Sequence, residues 1–394
     1  MEPVTRRRGR PPGSKNKPKT LPLFELAQPA PTKQVRDANR NSLSLPAPSA
    51  ALALTMPDIF IKLAKPVPTQ VFCTYWWFAC ERQNIFFNKI RHPDKPFWTD
   101  DDTLRRHKFT NTYRASDRVS QYLIGNVIEV DDPSLQTPDE VFFRTILFKL
   151  FNKIETWQLL EREIGEIRWA DYRFSRYDDI LSRAFHSGRT LYSAAYIMAN
   201  PGFGHDRKHS NHLLLLEEMM ARQLPQLLHQ RKDSLPNAFE LIRSCRGIGD
   251  FLAYQYAIDL NYGPLLTAEE DDFVVPGPGA LDGIKKCFFD IGDLTPAEVI
   301  KFVCDEQFAA FSELHLDFQS LWGRKLHLID CQNLFCEVDK YSRVHHPDIK
   351  GRSDRSRIKQ VYRPIPTPIR YRYPEKWGLD EKIAADPGYE NHAQ

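Results

Sequence analysis

The sequence predicts a mostly α-helical domain behind a disordered, basic N-terminal arm, and three observations carry that expectation. Helical-period segments recur at about 111–126, 138–163, 177–200, 211–231, 236–246, 250–262, 296–312 and 325–342, while alternating strand-like runs are few. Nine of the 29 prolines fall in residues 1–50, where Phe24 is the sole aromatic. Such a stretch cannot bury enough apolar surface to offset its ordering entropy. From Val71 the composition reverses, and "VFCTYWWFACERQNIFFNKI" is dense in aromatics at helical spacing. The arm is placed at 1–60, the folded domain at 65–379 and a polar tail at 380–394.

Charge is unevenly distributed. The formal net charge is +3, yet residues 1–19 carry seven Lys/Arg against one Glu and residues 340–376 carry eleven against three. Two basic concentrations on an otherwise acidic chain are the footprint of a nucleic-acid binder, although a solvated surface segment also satisfies 340–376. The seven cysteines are odd in number and include no C-x-x-C, which points to reduced thiols and away from a disulfide framework or cysteine-held zinc. No apolar run reaches spanning length and the N-terminus has no signal-peptide core. The expectation is a soluble, nuclear protein with no membrane contact and no cofactor of its own.

In the arm, Arg8-Gly9-Arg10-Pro11 sits among further basic residues at 6–19. Glycine lets a flat backbone sink into a narrow groove while the two arginines reach along its floor, where A·T-rich DNA has enhanced negative potential. The stretch resembles an AT-hook, and a nuclear-localisation signal can share the same residues.

In "RSCRGIGDFLAYQYAIDLNYG" (243–263), Gly247 and Gly249 flank Ile248 at the mouth of an apolar helix. Both glycines are expected to supply positive φ and close approach. Unpaired N–H groups at such a helix start suit an anion, and a plain tight turn between helices satisfies the same residues. Glu269, Glu270, Asp271 and Asp272 follow about twenty positions on, and then "VPGPGALDGI" (275–284), a glycine-rich turn opening toward a helix at Leu281. Neither this run nor any other matches G-x-x-x-x-G-K-[ST], so these 394 residues hold no P-loop.

Two helices carry polar stripes. In 109–124, Arg114, Asp117, Arg118 and Gln121 are expected on one face, and in 326–343, Asp330, Asn333, Glu337 and Lys340. Such faces are often only solvated or ion-paired, but this mixture also suits base edges and phosphates. His205, His209 and His212 have ligand-like spacing without a supporting carboxylate cluster, so no metal is expected.

The G-I-G hairpin, apolar helix and later acidic residue resemble the helix-hairpin-helix DNA glycosylases. That resemblance implies that Gly247, Ile248 and Gly249 hold a DNA phosphate and that Asp271 or Asp272 faces a flipped nucleotide. The position where some members carry a Schiff-base lysine is Phe251 here. Together with "FTNTYRASDRVSQYLI", "LIDCQNLFCEVDKYSR" and "YPEKWGL", these stretches resemble the helical domain of phage 5-hydroxymethyluracil DNA kinases, grouped with the α-glutamyl/putrescinyl thymine pyrophosphorylases. The resemblance spans roughly 65–379. It implies a glycosylase-like helical fold that recognises or processes modified thymine in DNA, with Asp271, Asp272, Glu337 and Lys340 as catalytic candidates. Gly247, Ile248, Gly249, Arg114, Arg118 and Gln121 would contact DNA, and any phosphotransfer would fall to separate kinase or modification enzymes. A non-catalytic chromatin module that keeps only the fold is the alternative.

Overall fold

In the computed structural model, residues 66–194, 198–364 and 369–389 are described. The stretch at 6–19 that resembles an AT-hook, the rest of the arm and the end of the tail lie outside them. The described chain is mostly helical, with fifteen α-helices and one two-stranded antiparallel pairing, β1 (Val67–Pro68) with β2 (Phe288–Asp290).

At the centre lies α1 (Gln70–Arg91), started by the Thr69 hydroxyl, which accepts from the Val71 amide. Its aromatics are buried on nearly every side, so this helix is interior rather than amphipathic. After the short α2 (Asp102–Arg106), a 3-10 turn at Arg114–Ser116 precedes α3 (Arg118–Tyr122), which widens into a π-helical turn over Leu123–Ile128. A second group follows: α4 (Pro138–Phe151), α5 (Ile154–Ile164), α6 (Phe174–His186), α7 (Lys208–Ala221), α8 (Leu224–Gln230), α9 (Leu235–Arg243) and α10 (Asp250–Leu260). The rest comprises α11 (Pro278–Cys287), α12 (Pro296–Asp305), α13 (Gln307–Glu313), α14 (Leu328–His345) and α15 (Asp380–Ala384).

Several sequence expectations change in the folded chain. The long run 138–163 is two helices, because Asn152 takes a left-handed conformation with φ 48°. The run 211–231 is likewise broken at Gln223, φ 56°, just before Pro225. The segment 177–200 leaves the helix at His186. The histidine triplet is split: His205 lies exposed in the segment before α7, whereas His209 and His212 are buried on α7 and separately engaged, His209 with Ser182 and His212 with Tyr192 and the Ala199 carbonyl.

The glycines of 275–284 belong to a helix crossing instead of a turn toward Leu281. Gly279 and Gly283 lie inside α11, one turn apart, against α14. A Cβ on Gly283 would stand 2.0 Å from the Phe335 carbonyl oxygen, and one on Gly279 would stand 2.9 Å from Cys336 Sγ. The glycines therefore let two backbones approach as closely as side chains normally would.

Gly247 has φ +77°, with the Pro201 backbone 3.1 Å from where its Cβ would be. Gly249 does not share that conformation, contrary to expectation. It caps α10 from the extended region at φ −92°, and its missing side chain faces open space.

Candidate functional site

The segment 107–117 has little regular structure and is shaped by its own side chains. The Asp117 carboxylate accepts from the Asn111 amide (2.8 Å), and the Asn111 side chain donates to the Ser116 carbonyl (2.7 Å). Arg82 on α1 clamps the bend from below, donating from Nε to the Thr110 carbonyl (3.0 Å) and from Nη2 to Asn111 Oδ1 (3.1 Å). From α14, Glu337 accepts the Thr110 amide (3.0 Å), and Lys340 reaches Glu337 (2.8 Å), the Lys108 carbonyl (2.9 Å) and Gln360 (3.2 Å). Three separate stretches of sequence, around Arg82, Glu337 and Gln360, thus converge on one bend.

Within it, Asp117 is a half-buried carboxyl. Burial raises its pKa to about 7, the Asn111 amide opposes that, and the Glu337 charge adds to it despite Arg82 and Arg114 nearby. Its second oxygen makes no hydrogen bond with any described residue, and neither does Nη1 of Arg82. A proton-exchanging carboxyl beside a guanidinium, each with a free edge, can bind a group that presents a donor next to an acceptor.

Beneath the bend lies a buried charge cluster. The Arg114 guanidinium pairs with Asp259 (2.8 Å) and donates to Gln255 (3.1 Å) and the Tyr262 hydroxyl (2.8 Å). Lys149 takes the other side of Asp259 at 3.1 Å. The Arg114 main-chain amide donates to Asp330 (2.8 Å), a carboxyl that burial raises to about 6.

The expected polar face of 109–124 is therefore not one face. Arg114 lies in the interior because it precedes the helix and turns toward Asp259. Gln121 is also buried, bonding the Ala115 carbonyl and the Arg372 amide (both 2.8 Å), and Arg118 alone is well exposed. The stripe of α14 is likewise mostly inside: Asp330 and Glu337 are buried, and Lys340 is largely covered.

Asp271 sits at the far end of α14. It pairs with Lys325 (2.7 Å) and His327 (3.0 Å), which hold it well below the usual carboxylate range, and it lies 3.3 Å from the Leu328 amide. Asp272 is exposed. Glu337 is nine residues beyond Leu328, roughly 14 Å along a helix axis, so the four catalytic candidates occupy two places and not one. Glu270 is drawn inside by Arg324 (2.8 Å) and the Trp377 indole (2.7 Å), which anchors "YPEKWGL" to the body. Gly247, Ile248 and Gly249 form the turn between α9 and α10, where Asp250 pairs with Arg243.

A cavity of about 1260 Å³ opens between 129–136, the turn at 262–267 and the 370–389 stretch. Glu129, raised to about 7 by burial, lines it, as do Arg370 and Arg372. Tyr371 forms part of the same wall, and the Asp117 and Arg82 charges bear on its hydroxyl, but no bend residue lines the cavity itself. Sequence reading did not single out Arg82 or Asn111. The available signal for Arg82 was a charged pair, Glu81-Arg82, inside an otherwise aromatic helix.

A mostly helical domain with a charged bend at its centre is the class of protein this architecture defines. Residues 69–351 match the family described as 5-hmdU DNA kinase, helical domain, and the chain belongs to that family. A curated relative, the 5-hmdU DNA kinase of Bacillus phage SP10, is 24% identical over 305 residues, which cover 73% of this chain. The chain matches only 48% of that relative's length. No solved structure matches.

Proposed function

We propose that this protein binds DNA and engages a thymine-type base carrying a 5-hydroxymethyl or related modification at the Asp117–Arg82 bend. The observation that carries the reading is the half-buried Asp117, near neutrality and with one oxygen free, beside the free edge of Arg82 inside the family-matched region. A uracil-type ring presents an N3–H donor between two carbonyl acceptors. The Asp117 carboxylate accepts the N–H and the guanidinium donates to a carbonyl, a pairing that an adenine or cytosine edge does not offer in the same order. To reach the bend the nucleotide must leave the stack. The phage relative's name, 5-hmdU DNA kinase, supports the substrate class.

Asp117 would also take or give the proton during any reaction at the base, with Glu337 and Lys340 holding the bend in register. Arg8-Gly9-Arg10-Pro11 would add A·T-rich minor-groove contacts from the arm, and phosphotransfer would come from a separate enzyme.

The test compares full-length wild type and Asp117→Asn on duplexes that differ by one 5-hydroxymethyluracil in place of 5-hydroxymethylcytosine, which lacks the N3–H donor. Wild type should prefer the 5-hydroxymethyluracil duplex, with the preference rising as pH passes through about 7 and the carboxylate forms. The variant should lose at least tenfold of that preference and its pH dependence. Equal binding of both duplexes by wild type at every pH would remove the base-recognition reading.

A further inference from the structure

The family match ends at residue 351, and the chain then runs helix-free across the surface beside the bend. This stretch is pinned at intervals. The Ser353 amide and hydroxyl donate to Asp282 (2.7 and 2.6 Å), and Arg343 donates to the Arg357 carbonyl (3.1 Å). The Gln360 carbonyl accepts the Lys108 amide (3.0 Å), and the Tyr362 amide donates to the Arg106 carbonyl (2.9 Å), the alternation of an antiparallel bridge.

Pinning sorts the side chains by parity. Ile358 and Tyr362 are half-buried and turn toward the body, and the Gln360 amide is held by Lys340. Arg357, Lys359 and Arg363 alternate with them and are exposed, as are Arg352 and Arg355 before them. None of these five side chains makes a hydrogen bond or ion pair with a described residue, although the Arg355 charge bears on Asp282 and Asp354 is the one carboxylate of the segment. Like charges left unpaired in a held segment repel one another, so their gathering is unfavourable unless a polyanion lies against them. Alternate residues of an extended chain repeat every 6.6 Å or so, close to the separation of neighbouring phosphates along a nucleic-acid strand. The segment also ends at the bend, since Tyr362 is near Arg82 and Gln360 shares Lys340 with Glu337.

We propose that residues 352–363 are a phosphate track that holds one DNA strand by its backbone and leads it to the Asp117–Arg82 bend. The proposal rests on the functional reading above and adds the surface that would position the strand. Its specificity is for phosphate, not for base sequence.

The experiment measures DNA binding by the full chain from 50 to 300 mM salt, using fluorescence anisotropy on one duplex and its single strand. The variant carries Arg355→Gln, Arg357→Gln, Lys359→Gln and Arg363→Gln. Four lost phosphate contacts should flatten the slope of log K against log salt by about 3.6 for duplex or about 2.8 for single strand. A control carrying Arg355→Lys, Arg357→Lys, Lys359→Arg and Arg363→Lys should keep most of the wild-type slope, and unchanged thermal melts would show that both variants fold. A wild-type chain that binds DNA with the same slope as the Gln variant overturns the track and leaves the base-recognition reading standing. A wild-type chain that binds no DNA overturns both. Loss of binding to anionic lipid vesicles with DNA slopes unaltered would also overturn the track, in favour of a membrane surface.

Discussion

Replacing Asp117 with Asn should make this protein more stable at pH 8 while impairing it. The carboxyl is half-buried, and burial lifts it from an ordinary value of 3.8 to about 7. Between about pH 4 and pH 7 the unfolded chain has released this proton while the folded chain still holds it. Stability therefore falls as pH rises through that window and is level, from this group, above it. A shift of about 3 units corresponds to roughly 4 kcal/mol as an upper bound, and partial exposure screens the charge, leaving about 2–4 kcal/mol. Asparagine keeps an oxygen for the Asn111 amide and removes the charge, so the gain should appear at pH 8 and vanish near pH 4. Urea unfolding of both proteins at pH 4, 6 and 8 measures it, and the difference between them isolates Asp117 from Asp330 and Glu129, whose pKa values are also raised. A difference that stays constant across the three pH values would show that Asp117 ionises without penalty, and the proton-exchanging role would fall with it.

The glycines give a contrast within one experiment. Gly283→Ala should cost about 3 kcal/mol, because its Cβ would stand 2.0 Å from the Phe335 carbonyl and α11 would have to move, whereas Gly249→Ala, which meets open space and loses only a favoured cap residue, should cost about 1 kcal/mol or less. Arg114→Met should destabilise by about 3–5 kcal/mol in urea, since Asp259 keeps only Lys149 as counter-charge, while Asp259→Asn with Arg114→Met together should recover part of the loss. Deleting residues 1–19 should weaken binding to A·T-rich duplex and flatten its salt slope by several units without affecting the preference for 5-hydroxymethyluracil, and an unchanged slope would rule out the minor-groove role of the arm.

The helical architecture was legible because the interior helices are written in long apolar runs: the aromatic stretch from Val71 becomes α1, and the run after Gly249 becomes α10. Where the reading failed, the cause was usually a residue acting outside its commonest role. Asn152 and Gln223 end helices in the left-handed region that usually signals glycine, so 138–163 and 211–231 looked continuous. Gly279 and Gly283 looked like turn glycines and are instead the contact between α11 and α14. The site was half-legible for a similar reason. Glu337 and Lys340 lie in a recognisable polar stripe, but Arg82 is surrounded by aromatics and becomes part of the site only through tertiary folding. The glycosylase resemblance directed attention to Asp271 or Asp272, and the partners of Asp271, Lys325 and His327, lie more than fifty residues further along and were invisible until the chain was folded.

The buried cluster below the bend explains how a surface loop can hold a carboxyl near neutrality. Asp117 lies three residues after Arg114, and Arg114 is fixed at both ends, by Asp330 on its amide and by Asp259, Gln255 and Tyr262 on its guanidinium. With so many partners the Arg114 backbone has little freedom, and neither does the short turn that carries Asp117 toward Glu337. A buried ion pair adds little net stability compared with well-packed apolar side chains. What this one supplies is position: two carboxyls, Asp117 and Glu337, are kept near each other with Arg82 between the loop and the core. Left to itself the pair would relax apart or recruit a cation, and the part of the rise that the Glu337 charge adds to burial would be lost. The cluster should therefore be felt at Asp117 even in variants that still fold. Moving the Arg114 anchor, for example with Tyr262→Phe, removes one of its hydrogen bonds while leaving the charge balance intact. The apparent pKa read from the pH dependence of base preference should then drop below about 7, while the phosphate track, pinned through Asp282 and Arg106, keeps its salt dependence. An unaltered pKa together with a loss of stability would mean that the cluster supports the fold alone and leaves the bend to hold its own geometry.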